Sequence, residues 1–455
     1  MLSVYGFDPT RPVLVYGLGG SGRAAVEKLA DSGQQVWAWD DGEATLPAEL
    51  LARPNVQQRQ PTGADWPDVQ AVVKAPGIAM GTPLITAAQE FGVLVLGETD
   101  LLWRRERASG AVWLGITGTN GKSTTTALVA HVLRAAGKRV AVGGNLGIPA
   151  LNLPEVGQGG FYVLELSSYQ LEMLQELAVD GAIFLNLTPD HLDRHITMEG
   201  YRAAKLRLFD LAQASATKVL GIDQPILQAI AGGSGAVTMA SQGGMADFSV
   251  REGAIYHGAD AALPLADFPN LPGPHNAQNI MAAYALLVPR WLNKTEFING
   301  VQSFKGLPHR LEKVGTLGGI RFINDSKATN GDSAVFALQS YPHIYWICGG
   351  KPKTDGLGAC LDALQNVRAA FTIGEAGSAF AAAINARNTP AFECHTLARA
   401  VQEAYAAART EGLEGAVVLL SPAAASYDQF RNFEHRGDVF ANCVRQLAEQ
   451  QGHGK

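Results

Sequence analysis

The stretch Gly115-Ile116-Thr117-Gly118-Thr119-Asn120-Gly121-Lys122-Ser123-Thr124 decides how this chain is read. It follows Ala111-Val112-Trp113-Leu114, an apolar run that predicts a buried strand. It precedes Leu128, Val129, Val132 and Leu133, which recur with the period of one helix face. Strand, glycine-rich turn and helix start together make a phosphate cradle. The glycines let backbone N–H groups turn inward, and the helix N-terminus adds positive potential. Lys122 is long enough to reach β- and γ-phosphates, and the Ser123 hydroxyl can bind Mg²⁺. The strict P-loop pattern wants glycine five places before Gly121, where this chain has Ile116. The candidate nucleotide turn is therefore a variant made of Gly118, Thr119, Asn120, Gly121, Lys122, Ser123 and Thr124.

Working outward, the N-terminal side repeats the strand–turn–helix logic. Val13-Leu14-Val15-Tyr16 predicts a strand, Gly17-Leu18-Gly19-Gly20-Ser21-Gly22 a tight turn, and the pattern up to Ala30 a helix. Strands are predicted at 36–39, 72–74 and 93–96, the first ending at Asp40. Gly17, Gly19 and Gly22 fit the dinucleotide fingerprint, with Asp40 where a ribose-binding acid belongs. The fingerprint reports only backbone that approaches a diphosphate closely. It admits NAD, a UDP-sugar, or a structural turn with no ligand.

Downstream, strands are predicted at 161–166 and 181–187, hairpins between about 240 and 262 with a turn at Arg251-Glu252-Gly253, and a helix over 275–287. A hinge is placed at Leu307-Pro308-His309-Arg310, followed by strands at 320–323, 345–347, 370–373 and 417–420 separated by helical patterns. The 455 residues, 47% hydrophobic, suit about three domains. They are expected at 1–109, 110–306 and 307–455, each α/β: a Rossmann-like N-terminal domain, a central P-loop domain with a mostly parallel sheet, and a Rossmann-like C-terminal domain.

Composition excludes several classes. No apolar run approaches the roughly 20 residues of a membrane span. Met1-Leu2-Ser3-Val4-Tyr5 has neither a basic n-region nor an apolar h-region, so no secretory signal is expected. Cys348, Cys360, Cys394 and Cys443 form no Cys-x-x-Cys pair and read as buried free thiols in a reducing cytoplasm. A net charge of −6 argues against a general nucleic-acid binder.

Further polar groups fall near predicted strand ends. Glu165, in Leu164-Glu165-Leu166-Ser167-Ser168, can hold Mg²⁺ against phosphates or pair with a neighbouring cation. Asp190-His191-Leu192-Asp193-Arg194-His195 places two histidines at i, i+4, but no third zinc ligand appears at a fitting spacing. Lys205, in Tyr201-Arg202-Ala203-Ala204-Lys205-Leu206, reads as a solvated helix lysine. His275-Asn276-Ala277-Gln278-Asn279 puts two amides on one helix face, to read adenine or to cap the helix. Asn324-Asp325-Ser326-Lys327-Ala328-Thr329-Asn330 gathers polar groups at a sheet's carboxyl edge, where α/β ligands bind, or forms a capped strand–helix loop.

Taken in order, residues 117–124, 164–168, 190–194, 201–205, 275–279, 306–310, 324–330 and 421–437 resemble the blocks of the Mur ligases. The block Leu420-Ser421-Pro422-Ala423-Ala424-Ala425-Ser426-Tyr427-Asp428-Gln429-Phe430-Arg431-Asn432-Phe433-Glu434-His435-Arg436-Gly437 resembles the D-glutamate-adding members of that family. No Asp-Asn-Pro-Arg-like block, expected of diaminopimelate-adding members, is present.

The resemblance implies a cytoplasmic, monomeric ligase without nucleic-acid or membrane partners. Its substrates would be ATP, D-glutamate and UDP-N-acetylmuramoyl-L-alanine, joined through an acyl phosphate in peptidoglycan precursor synthesis. It also implies roles by motif. Lys122 and the loop backbone would hold phosphates, Ser123 and Glu165 one Mg²⁺, and His191 with a carbamylated Lys205 a second. Asn279, His309, Arg310 and Asp325 would contact ATP. Gly19, Ser21, Gly22, Asp40 and Asn145 would hold the UDP-substrate. Lys327, Thr329, Lys353, Ser426 and Phe433 would surround the glutamate.

Three departures stand out. Asp41-Gly42 occupies the place where relatives carry Thr-Arg, and Ala75 a place where Ser is common; Lys74 is the candidate to supply the missing charge. Lys351 competes with Lys353 in Gly349-Gly350-Lys351-Pro352-Lys353. The competing readings are a related ligase adding L-glutamate or another amino acid, a folylpolyglutamate-synthase-like amide ligase, an NAD-dependent dehydrogenase suggested by Gly17, Gly19 and Gly22 alone, and a P-loop binding protein without ligase chemistry.

Overall fold

The computed structural model describes residues 2–288, 290–352 and 356–452. Among these residues, three sheets order the chain. The first is wholly parallel, with Val56–Gln58, Val36–Trp39, Val13–Tyr16, Ala71–Lys74 and Leu94–Leu96 as spatial neighbours in that order. Strand order therefore reverses beside Val13–Tyr16, the topological switch point at which doubly wound sheets bind diphosphates. Val13–Tyr16 is fully buried, as an apolar run covered on both faces should be.

The second sheet has nine strands and is parallel from Val140–Gly144 through Phe161–Glu165, Val112–Thr117, Val179–Phe184, Ala212–Gly221 and Val237–Ala240 to Phe248–Arg251. Two antiparallel strands, Ala254–His257 and Asp260–Pro264, close its edge. The expected turn at Arg251-Glu252-Gly253 joins the first of these hairpins, with positive φ at Glu252 and Gly253. The third sheet runs Glu312–Leu317, Ile320–Asn324, Ala416–Leu420, His343–Gly349, Val367–Ile373 and Ala391–His395; only its first pair is antiparallel. The α/β fold class, with three mostly parallel sheets along the chain, stands as the patterning predicts.

Two compact units emerge. One comprises residues 1–269 and 276–304 and holds the first two sheets; the other comprises 270–275 and 305–455 and holds the third. Each has its own apolar interior. The strand expected at 181–187 is Val179–Phe184, because the chain leaves the sheet once Leu185 and Asn186 turn to the nucleotide loop. Cys348, Cys360 and Cys394 are buried free thiols, but Cys443 is only half-buried, a correction to the expectation for all four. No helix among the described residues is long and apolar enough to cross a membrane.

Candidate active site

The strand Val112–Thr117 feeds the turn directly into the helix Lys122–Ala135. Gly121 sits at the helix start with φ +80°, a conformation that L side chains rarely adopt. A Cβ there would lie 2.5 Å from Asn279 Oδ1, so glycine also lets the Pro274–Leu287 helix approach. The turn is held from behind by an amide relay. Asn120 N–H donates to Asn186 Oδ1 (2.9 Å), and Asn186 Nδ2 donates to Asn120 O (3.1 Å) and to Gln278 Oε1 (2.8 Å). Gln278 Nε2 in turn donates to Asp223 Oδ2 (2.8 Å). Thr119 Oγ1 lies 3.2 Å from both Thr188 O and Tyr201 OH. Lys122 Nζ donates to Gly118 O and Thr119 O, each at 2.8 Å, and so rests on the loop that its charge would serve.

Lys205 overturns the solvated-lysine reading. It is 2% exposed in the helix Met198–Asp210, and its Nζ donates to Gly118 O at 2.8 Å. Burial, aided by the nearby Lys122 charge, drives its pKa well below the usual lysine value. A buried amine at the phosphate turn is a chemical group, not surface decoration.

Glu165 ends the strand Phe161–Glu165 and is buried. Asn145 Nδ2 donates to its Oε1 at 2.7 Å, while Oε2 is buried without a hydrogen-bond partner. An orphaned carboxylate oxygen beside a P-loop suits a hard cation, and Mg²⁺ commonly takes one or two carboxylates and completes its shell with phosphates and water. Asn145, expected at the muramoyl substrate, thus also braces Glu165. His191 is exposed, with φ +53° and its Nδ1 3.0 Å from Tyr169 OH. Both His191 and the Lys205 ammonium border the Tyr201 ring, at 6.2 Å between centroids and 4.8 Å respectively. Asn279 is buried; its Oδ1 accepts from Thr125 Oγ1 at 3.0 Å and its Nδ2 donates to Asn276 Oδ1 at 3.2 Å.

In the N-terminal sheet, the turn from Gly17 to Gly22 enters the helix Gly20–Asp31, with Gly19 at its cap and Ser21 in its first turn. A Cβ on Gly22 would come 1.7 Å from Gly17 O, so the helix packs on the strand only through glycine. Asp40 accepts from Leu18 N–H (2.7 Å) and Gly42 N–H (2.9 Å) and so braces the turn. Asp41 is held by Trp39 Nε1 (2.9 Å) and by Tyr16 OH. Lys74 is not an open cation: it is buried and donates to Ile78 O (2.6 Å) and Ala75 O (3.2 Å), with its pKa lowered by burial to about 8. Where the missing charge was expected from Lys74, the structure has a buried amine already engaged by two backbone carbonyls.

In the C-terminal sheet, His309 has φ +60°, packs its ring on Gly437, and lies with Nδ1 3.0 Å from Asn324 Nδ2. Its carbonyl accepts from Lys327 N–H at 3.0 Å. Asp325 is buried, accepts from Ser421 Oγ (2.8 Å) and Leu311 N–H (3.3 Å), and is raised to about 7 by burial, against the opposing Ser421 hydrogen bond and Arg310 charge. Lys327 is exposed with its ammonium 4.0 Å from the Phe433 ring centroid. Thr329 is half-buried in the same loop and Ser426 is buried at the end of the next. Lys353 lies outside the described residues. Asn186, Gln278, Asp223 and Arg436 were not singled out from sequence, although Gln278 and Arg436 lie inside blocks that were.

Residues 116–287 match the Mur ligase middle domain, and residues 309–424 match the Mur ligase, glutamate ligase domain. A UDP-N-acetylmuramoylalanine–D-glutamate ligase of Phenylobacterium zucineum is 40% identical, covering 99% of both chains. The protein of the same name from Rhodospirillum rubrum is 42% identical over 97% of this chain and 96% of its own. Among solved structures, the UDP-N-acetylmuramate–alanine ligase of Thermotoga maritima shares the fold with a TM-score of 0.59 at 18% identity, covering 96% of this chain and 100% of that one. A pseudomurein peptide ligase type C from Methanothermus fervidus gives 0.56 at 16% identity, with coverage of 96% and 100%. With both family domains matched in order and full-length relatives at such identity, the chain belongs to the Mur ligase family.

Proposed function

We propose that this chain is a cytoplasmic ligase that uses ATP to join D-glutamate to UDP-N-acetylmuramoyl-L-alanine. The observation that carries the ATP chemistry is the convergence on one sheet edge of the P-loop backbone, Lys122 and the unpartnered Glu165 oxygen. The names of the full-length relatives carry the choice of substrates. The three sheets are read as three working domains, with boundaries near 109/110 and 306/307, serving the UDP-substrate, ATP and the amino acid in turn.

A carboxylate is a poor electrophile. Transfer of the γ-phosphoryl group of ATP to the alanyl carboxylate makes an acyl phosphate and releases ADP. The glutamate amine then adds to the carbonyl carbon, a tetrahedral intermediate forms, and phosphate departs as the amide forms and the nitrogen loses a proton. Lys122 and the inward N–H groups of the turn stabilise charge on the transferred group. Ser123 and Glu165 would hold Mg²⁺, which would supply neutralisation of the phosphate charge. Arg310 and Asp325 are assigned to ATP, and Lys327, Thr329, Ser426 and Phe433 to the surroundings of the incoming glutamate.

Lys205 is assigned a carbamate. Its buried amine favours the neutral form, the only form that adds CO₂. The product is an anionic oxygen ligand which, with His191, would serve a second Mg²⁺.

An amino-acid screen for phosphate release with UDP-N-acetylmuramoyl-L-alanine and ATP tests the reading. D-glutamate alone is expected to trigger turnover. Equal or greater release with L-glutamate, or release only with diaminopimelate, would overturn the assignment, and turnover without any amino acid would remove the ligase step.

A further inference from the structure

Arg436 is completely buried, in the first turn of the helix Phe433–Gly452. Its Nε donates to Ser326 Oγ (3.0 Å) and its Nη2 to Ser326 O (2.9 Å). Its Nη1 donates to Ala424 O (3.0 Å) and Ala425 O (3.3 Å). Four donors thus meet three carbonyls and one hydroxyl. Burial lowers its pKa to about 10, so the guanidinium stays charged at neutral pH.

The placement of those acceptors matters more than their number. Ser326 follows the strand Ile320–Asn324, and Ala424 and Ala425 follow Ala416–Leu420. Ala425 is bridged in both directions to Lys351, by Lys351 N–H to Ala425 O at 2.8 Å and the reverse bond at 3.2 Å; Lys351 follows His343–Gly349. The three strands are neighbours at the centre of the third sheet. One planar fork therefore fastens two loops directly and the third through Ala425, all at the carboxyl edge where α/β ligands bind. The third loop also comes close: a Cβ on Gly350 would lie 3.1 Å from Arg436 Nη1. Ser326 immediately precedes Lys327, and Ala425 immediately precedes Ser426, both assigned above to the incoming amino acid.

We propose that Arg436 is a positioning residue that sets the mutual spacing of the three amino-acid-binding loops without touching substrate itself. The inference rests on reading this edge as the glutamate site. A lysine keeps the charge but not the fork, so it cannot hold Ser326 and Ala424–Ala425 at once.

The test is steady-state kinetics of Arg436→Lys with D-glutamate, ATP and UDP-N-acetylmuramoyl-L-alanine varied in turn, beside thermal melting. The expected result is a KM for D-glutamate raised about ten-fold or more, with the KM for ATP moved less than about two-fold. A merely structural arginine would lower the melting temperature and the active fraction, hence apparent kcat, and leave every KM in place; that result overturns the proposal. If Arg436→Lys does not fold, Ser326→Ala decides: it removes the Nε contact and the 2.8 Å bond from Ser326 Oγ to Phe433 O, both of which tie the first loop to the start of the helix that carries Arg436, and it leaves the Nη contacts in place. A rise of about three-fold in the KM for D-glutamate supports the proposal, and an unmoved KM in the folded variant overturns it. Wild-type enzyme that releases no phosphate with D-glutamate would overturn both this inference and the function beneath it. An active wild type with unmoved KM values in the variants would overturn this inference alone.

Discussion

Lys122 and Asp325 show what single groups contribute. The Lys122 ammonium rests on Gly118 O and Thr119 O, carbonyls of the turn proposed to cradle the transferred phosphoryl group. Lys122→Ala removes a charge-assisted contact made in the transition state, so kcat/KM is expected to fall about 10³-fold. A near wild-type value in folded Lys122→Ala would show that the turn is not the catalytic cradle. Asp325 carries a pH signature. Its folded pKa of about 7 lies above the ordinary 3.8, so between those values the native chain keeps a proton that the unfolded chain has released. Through this group, stability falls as pH rises from about 4 to about 7, and the cost is fully present above that window. Asp325→Asn keeps an acceptor for Leu311 N–H and can donate to Ser421 Oγ, yet cannot ionise. Relative to wild type it is expected to gain stability between pH 5 and pH 8, read by urea denaturation at both. An unchanged difference across those two pH values would contradict the raised pKa.

At the scale of elements, the nucleotide turn is fixed by three segments that meet through amides: the loops after Val179–Phe184 and Ala212–Gly221, and the helix Pro274–Leu287. Gln278 is the middle of that relay. Gln278→Leu takes one hydrogen bond each from the Asn186 amide, which keeps Asn120 O, and from the half-buried Asp223 carboxylate, which keeps Ser241, at about 0.5–1.5 kcal/mol per bond. It is expected to lower unfolding free energy by about 2 kcal/mol and to raise the KM for ATP several-fold while sparing the KM for D-glutamate. An unmoved KM for ATP in the folded variant would show that the relay does not set the turn. The relay also marks where sequence reading ran out. Strands made of apolar runs, such as Val13–Tyr16 and Ala416–Leu420, were legible because both faces are covered. Ala212–Gly221 and Glu312–Leu317 were not, since half-exposed strands carry polar residues and show no run. Lys205 was misread although helical spacing held the clue: it shares a face with Tyr201, Leu208 and Phe209, all buried. Arg436 likewise shares a face with buried Phe440, Val444 and Leu447. In both helices periodicity placed the residue in the interior, and side-chain charge alone argued otherwise. The relay left no such trace, because its members converge from separate parts of the chain.

At the scale of the whole molecule, the two compact units carry different built-in probes. Cys348, Cys360, Cys394 and Cys443 all lie in the unit that includes 305–455. Trp37, Trp39, Trp66, Trp103, Trp113 and Trp291 lie in the other, and only Trp346 belongs with the cysteines. Multi-domain chains commonly depart from two-state unfolding. In the ligand-free protein, urea curves followed by tryptophan fluorescence and by thiol reactivity are therefore expected to have different midpoints. Trp346→Phe sharpens the comparison by leaving fluorescence to one unit alone. The thiols add a native-state check. Burial pushes the Cys348 and Cys394 thiols up, which suppresses the reactive thiolate, and Cys360 is likewise buried and donates from its sulfur to Gly331 O. A chromogenic disulfide reagent is thus expected to titrate at most Cys443 in the folded chain and all four in denaturant. Activity is expected to survive that single modification, because the proposed ligation uses no thiol. Coincident curves in the Trp346→Phe protein would mean that the two units unfold as one. Rapid native reaction of a second thiol, with activity lost alongside, would place a reactive cysteine where the structure has buried ones.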